Sequence, residues 1–295
     1  MVTNLGGMSM ERDYRYFLDE SKKLCRFHVD VEEDASDPRK DYDNLGTMMV
    51  WWNRYDLGDE NKFNSPSDFL DDLVHFTLTN KQIINYVKKG KASNGLQLKY
   101  NRSKREWELW GTYYLWPLEN AKEAQFSVIA SDPDIYWLVD EIIESLPIQD
   151  KLTLLEKEFF FLPIYIYEHS GLCMNTGGFA CPWDSGQAGW IYVSKEKVME
   201  EGIQVRKNDR WVKANSKNWK EAAERILEGE VKLYDQYLQG ECYGWIIEEW
   251  NGDDWDYKDS CWGYFSDKWG NELIEELKCE ALGRDVKLYG KEDVA

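Results

Sequence analysis

The chain is short of positive charge, of long apolar runs and of the motifs that mark common catalytic sites. Lysine and arginine number 36 against 55 aspartates and glutamates, a formal net charge of −19. Adhesion to DNA, RNA or anionic lipid therefore works against long-range repulsion, and a basic partner is favoured. The longest apolar segment, Phe159 to Tyr167, is interrupted by Pro163 and is far too short to cross a bilayer. No early stretch joins a basic head to an apolar run, so neither membrane nor secretory routing is expected. The six cysteines (Cys25, Cys173, Cys181, Cys242, Cys261 and Cys279) include no CxxC pair, in a chain too large to need staples. Reduced thiols and a cytoplasmic setting are expected. There is no glycine-rich phosphate loop, GxSxG elbow or HExxH helix, and no Gly/Ser/Pro-rich linker marks a boundary.

What the chain does have is enough apolar residue to fold, 43% of 295 positions, together with 15 tryptophans and 18 tyrosines. Most of these rings belong in a core, but Trp and Tyr are also the types enriched at protein interfaces. The pattern predicts an α+β fold with mixed antiparallel sheets and a helical middle segment, in two or three lobes. Residues 1–10 are expected to be a loose leader, 11–117 an N-terminal α+β lobe, 118–157 the helical middle and 158–295 a C-terminal α+β lobe.

Cys25, Phe27, Val29 and Val31 alternate with polar positions, which suits a half-buried strand. Ser65-Pro66-Ser67-Asp68 supplies capping side chains for a helix starting there, and Asn218 with Glu221 forms a capping box for a helix running through Trp219 to Leu238. Trp107 to Trp116, Phe160 to Tyr167 and Gly189 to Val193 read as strands, with a long loop from His169 to Ala188; Asp134 to Ser145 and Lys151 to Phe159 read as helices. Glu241 to Trp250 and Trp255 to Phe265 flank Asn251-Gly252, a pair suited to a tight hairpin turn, and a last helix spans Asn271 to Leu282.

Two charge anomalies stand out. Lys81 to Arg105 carries eight basic residues and no acidic one, the one basic island in the chain. A solvated face is the ordinary reading of such a run, with self-association next and phosphate binding third. Residues 241–280 carry twelve acidic and three basic side chains with Trp245, Trp250, Trp255, Trp262 and Trp269 interleaved. One face in the core and one in water is the ordinary reading there, and a docking surface the sharper one.

Candidate chemistry is sparse. His169 shares its loop with Glu168, Cys173, Cys181 and Asp184, from which a Cys-His pair could be drawn. Its His-x3-Cys-x7-Cys spacing matches no common zinc site, and a fourth ligand is missing locally. Paired acids such as Asp41/Asp43, Asp59/Glu60, Asp71/Asp72 and Asp253/Asp254 arise by composition in a chain this acidic. Binding is therefore expected over catalysis, with no metal and no cofactor.

Three stretches are distinctive: DYDNLGTMMVWWNRYDLGDE (41–60), LPIYIYEHSGLCMNTGGFACPWDSGQAGWIYVSKEKV (162–198) and 229–265 with GEVKLYDQYLQGECYGW and DSCWGYF. They resemble a set of phage-encoded proteins. Within that set, length and acidity are similar to the Gabija anti-defence family, whose members bind the bacterial Gabija complex of a nuclease with an ATPase-like domain and a helicase-like subunit. The resemblance implies stoichiometric occlusion, in which several inhibitor copies wrap the complex, contact one another and stop it binding and cutting phage DNA. It implies no catalytic residue. The expected partner contacts are Trp250, Asp253, Asp254, Trp255, Asp256, Tyr257, Asp259 and Trp262. Lys88, Lys89, Arg102, Lys104 and Arg105 are the expected self-association contacts, and direct nucleic-acid binding is not expected. The alternatives are a DNA mimic occupying a DNA channel, or a small enzyme using the His169–Asp184 loop.

Overall fold

The computed structural model describes residues 12–113, 124–130, 137–207 and 210–290. The expected leader, 1–10, lies outside them. The chain opens with β1 (Arg15–Leu18) and β2 (Leu24–Val31), a short α1 (Pro38–Asp41) and β3 (Thr47–Val50). Then come α2 (Pro66–Thr77), α3 (Asn80–Lys88), β4 (Gln97–Asn101), β5 (Glu106–Tyr113) and β6 (Ala124–Ala130). Helices α4 (Trp137–Ser145) and α5 (Ile148–Leu155) lie in the segment 118–157 expected to be helical, but that segment also holds the strand β6, which pairs with β5. The two helices lead to β7 (Phe159–Glu168), β8 (Leu172–Asn175), β9 (Ser185–Ser194), α6 (Lys195–Glu200), β10 (Gln204–Lys207) and β11 (Arg210–Lys213). The chain continues through α7 (Trp219–Gln239), β12 (Cys242–Trp250), β13 (Trp255–Phe265) and α8 (Gly270–Leu282).

All strand pairs are antiparallel, in sheets ordered β1-β2-β12-β13, β3-β9-β7-β8, β4-β5-β6 and β10-β11. The fold is α+β, as the pattern predicts. Hydrogen bonding nevertheless runs across the expected boundaries at 117 and 157, because β2 pairs with β12 and β3 with β9.

The β3-β9-β7-β8 sheet is the middle layer. Successive strand residues point to opposite faces, so Met49 and Trp190 join a core built by Leu70 and Val74 of α2, Ile83 of α3, Ile142 of α4 and Leu98 and Leu109 of the β4-β5 sheet. Met48, Val50, Ile164 and Ile191 face the other way, onto Ala222, Ala223, Leu227 and Val231 of α7. A third core packs Cys25, Phe27, Trp245 and Ile247 against Leu273, Ile274 and Leu277 of α8. β3 approaches β9 so closely that a Cβ on Gly189 would lie 1.9 Å from the Met49 carbonyl oxygen, which is backbone and cannot yield. Gly189→Ala is therefore expected to cost about 3 kcal/mol, read as a fall in the urea midpoint; an unchanged midpoint would contradict the close approach.

Local chemistry explains most element ends. Ser65 Oγ accepts from Asp68 N at 3.1 Å, with Pro66 in the first turn of α2, as the sequence predicts. Gly240, at φ +72°, closes α7 and lets Glu241 N donate to Gln236 O at 2.8 Å. Three expectations need correction. The Asn218 box does not form, because Asn218 Oδ1 accepts from Asn215 N at 2.7 Å and is not available to the helix. The reciprocal contact occurs instead at α3, where Gln82 Oε1 accepts from Thr79 N at 2.9 Å. The helix expected over Lys151–Phe159 runs from Ile148 to Leu155, since the aromatic run from Phe159 pairs with β9. The loop expected over 169–188 contains β8 and the start of β9, leaving 176–184 as the connection.

Candidate interaction surface

The acidic hairpin is built from its turn outward. Asn251 N donates to Asp254 O at 3.1 Å, Asn251 Oδ1 accepts from Asp253 N and Asp254 N at 2.9 Å each, and Gly252 supplies φ +109°. The turn thus pins two adjacent carboxylates outward. Asp253, Asp254, Asp256 and Asp259 are all exposed, and none pairs with a cation among the described residues. Lys258 does not neutralise them, because its ammonium bridges Asp19 at 2.6 Å and Glu249 at 2.9 Å. Those two hydrogen bonds hold the Lys258 pKa well above its ordinary value.

β13 is the outer strand of its sheet. Exposed strand edges invite pairing with other chains, and carboxylates occupy part of this one. Trp255 N donates to Asp254 Oδ1 at 2.7 Å, Ser260 N to Asp259 Oδ1 at 2.9 Å and Gly263 N to Glu32 Oε2 at 2.7 Å. The acidic residues therefore supply negative field and also shield the edge.

The expected aromatic contacts divide. Tyr257 is 67% exposed, and Trp250 and Trp262 are also exposed. Trp262 lies over Gly244, where a Cβ would come within 2.1 Å of the ring. Trp255 is half-buried in a stack: the Arg26 guanidinium sits 4.6 Å from its ring and 4.2 Å from Tyr14, while bonding Glu248 at 2.6 and 2.9 Å. Trp255 thus organises the sheet face more than it offers contact area. Sequence reasoning left Trp269, 83% exposed just before α8, and Trp183, 91% exposed, out of the contact set; the Asp, Ser and Gly residues around each, with Pro182 beside Trp183, were the signal that could have marked them as exposed.

His28 is 3% exposed on that same sheet face, beneath Tyr14, with Asp30 at 3.6 Å and Glu248 at 3.8 Å, and its Nδ1 has no hydrogen-bond partner. Burial holds its pKa below the ordinary 6.5, against the opposing pull of Asp30 and Glu248, with Arg12 and Arg26 adding to the depression. The unfolded chain then binds the proton more readily, so the His28 contribution is intact above pH 6.5 and is lost as pH falls below it. His28→Gln should show a smaller fall in thermal midpoint between pH 7.5 and 5.5 than the unaltered chain. Equal falls would sink this account.

The loop chemistry does not assemble. Asp184 Oδ2 lies 3.5 Å from His169 Nδ1 and 3.6 Å from Cys181 Sγ, so the carboxylate stands between thiol and imidazole, where a relay needs the imidazole in the middle. Cys173 is elsewhere, opposite Tyr167, and burial with help from Asp235 and Glu241 raises its pKa. The cluster Asp19, Cys25 and Glu249 has ligand atoms close together, but Lys23 and Lys258 already supply its positive charge. An open cleft of about 480 Å³ beside α5 and β7, lined by Leu152, Phe159, Phe161, Pro163 and Trp190, carries only Glu156 and Lys220 as charged groups. No helix among the described residues is long and apolar enough to cross a membrane.

The three distinctive stretches converge on the middle sheet. Arg39, its side chain 1% exposed, bonds Asp59 at 2.7 and 2.9 Å and Glu230 at 2.9 Å, joining 41–60 to 229–265. Glu168 accepts from Trp52 Nε1 at 2.8 Å and from Arg54 at 2.9 Å, joining 41–60 to 162–198. The expected contact hairpin, also within 229–265, lies on the β1-β2-β12-β13 sheet. Comparisons with protein-family models, curated proteins and solved structures return no match.

Proposed function

We propose that the chain is a phage anti-defence protein that binds a host nuclease and helicase complex of the Gabija type and blocks its DNA binding and cleavage by stoichiometric occlusion. It acts in the bacterial cytoplasm, without a cofactor, as several copies on one target. The observation that carries this reading is the β12–β13 hairpin. Four exposed aspartates, with no cation partner among the described residues, flank exposed Trp250, Tyr257 and Trp262 on a turn fixed by its own hydrogen bonds. Such a surface offers electrostatic steering toward a basic, DNA-handling face, with aromatic anchors to slow release. The resemblance supplies the identity of the target, and the misordered Asp184 cluster weakens the enzymatic alternative.

Unpaired carboxylates on a rigid turn also suit DNA mimicry, and strict competition with DNA would distinguish it from occlusion outside the channel. A tagged pull-down from cells carrying the Gabija genes, followed by light scattering on the eluate, tests the proposal. Co-elution of nuclease and helicase subunits at a fixed ratio is the expected result. Recovery of the chain alone would refute the reading.

A further inference from the structure

The basic island takes a specific shape in the fold. It spans α3, the connection to β4, β4 itself and the turn before β5. Some cations elsewhere are tightly engaged: Arg26, Arg39, Lys151 and Lys258 each meet a carboxylate within hydrogen-bonding distance. In the island, Lys81, Lys88, Lys89, Lys91, Lys99, Arg102 and Arg105 pair with none among the described residues, and Lys104 reaches Glu108 only at 4.0 Å. Acidic residues outnumber basic ones over the chain as a whole, but eight cations close together with no acidic residue among them make a local positive field that suits an anionic partner.

Aromatic rings sit among these charges. Tyr100 is 48% exposed and packs at 5.1 Å against Trp107, over which Lys88 Nζ lies at 4.0 Å. Arg102, Lys104 and Arg105 form the turn at the same end of the hairpin. Glu106 and Glu108 flank Trp107 in the strand and so project from the opposite face, with Glu108 held by Asn101 at 2.8 Å and Trp110 at 3.1 Å. Arg105 adopts φ +56°, a conformation that ordinarily favours glycine or asparagine.

We propose that the Tyr100–Trp107 platform and its rim of Lys88, Lys89, Arg102 and Arg105 bind single-stranded nucleic acid. The cations take the phosphates, and a base stacks on the exposed Tyr100 ring. The global charge does not forbid this, because at physiological salt the Debye length is about 8 Å and more distant carboxylates are screened. An acidic protein segment would satisfy the cations but has no use for the ring, which is why a polynucleotide fits better. The proposal does not rest on the inhibitor reading, and it reverses the expectation drawn from net charge.

The test is fluorescence anisotropy of a labelled 20-nucleotide oligothymidylate with the full chain at 50 mM salt. Saturable binding is expected, weakening roughly 20-fold by 200 mM if about three phosphates are engaged. Tyr100→Ala should weaken binding about tenfold, within the range for loss of one stacked base. R102E/R105E should abolish it while circular dichroism remains unchanged. No binding at 50 mM salt would overturn the proposal. So would polyglutamate of the same length binding as tightly with Tyr100→Ala without effect, which would assign the patch to an acidic protein. Self-association reversed by R102E/R105E, with no oligonucleotide binding, would assign it to a second copy.

Discussion

Replacing Asp253 and Asp256 by lysine is expected to slow association with the nuclease–helicase complex by about tenfold at low salt, while the dissociation rate changes little. Both carboxylates are exposed and meet no cation among the described residues. Steering acts before contact, so its loss falls on the association rate and shrinks as salt screens the field. Asp254 and Asp259 are left in place because they accept from Trp255 N and Ser260 N, and their removal would change the strand edge as well as the charge; Asp256 accepts only from the Asn251 side chain, at 3.0 Å, and a matching circular dichroism spectrum checks that its loss leaves the hairpin intact. The on-rate of the unaltered chain should fall steeply between 50 and 300 mM salt, and that of the variant only slightly. Identical salt profiles would remove steering from the mechanism.

Arg39→Ala is expected to be the most damaging single substitution for stability, lowering it by about 3–5 kcal/mol, the range for breaking a buried ion pair by removing one partner. The guanidinium satisfies Asp59, Glu230 and the Gly46 carbonyl together, the last at 2.8 Å. The same carboxylates also organise backbone: Glu230 accepts from Leu45 N at 2.7 Å, and Asp59 from Met48 N at 2.8 Å. Without Arg39 two carboxylates remain at a largely buried site with no cation between them, and the link from Asp59 to Glu230 is lost. Arg39→Lys keeps the charge but not the planar fork, so its loss should be intermediate. Urea denaturation followed by circular dichroism measures both, and a loss below 1 kcal/mol for the alanine variant would show the network to be dispensable.

The features legible in the sequence were those set by neighbours along the chain. Asn251-Gly252 announced the hairpin, Ser65 the start of α2, and the Cys25-Phe27-Val29 alternation the buried face of β2. Pairings between distant segments were not legible. Four residues, Thr47–Val50, give too short a pattern to place β3 beside β9, and Leu172–Asn175, though bounded by Ser170-Gly171 and Gly177-Gly178, is likewise too short to read as β8. Charge composition likewise could not separate Lys258, locked to Asp19 and Glu249, from the unpaired lysines of the island. Among the hairpin aromatics, the sequence could not tell the half-buried Trp255 from the exposed Tyr257 two positions on. That difference depends on Arg26 and Tyr14, more than 200 residues away in the chain.

The most direct test of the central claim is a titration of DNA cleavage by the purified Gabija complex with the intact chain, at complex concentrations well above the dissociation constant. Occlusion predicts a sharp end point at a fixed ratio of chain to complex, with loss of DNA binding at the same point. Full inhibition at a small fraction of that ratio, growing with incubation time, would mean that the chain acts catalytically and would contradict the account.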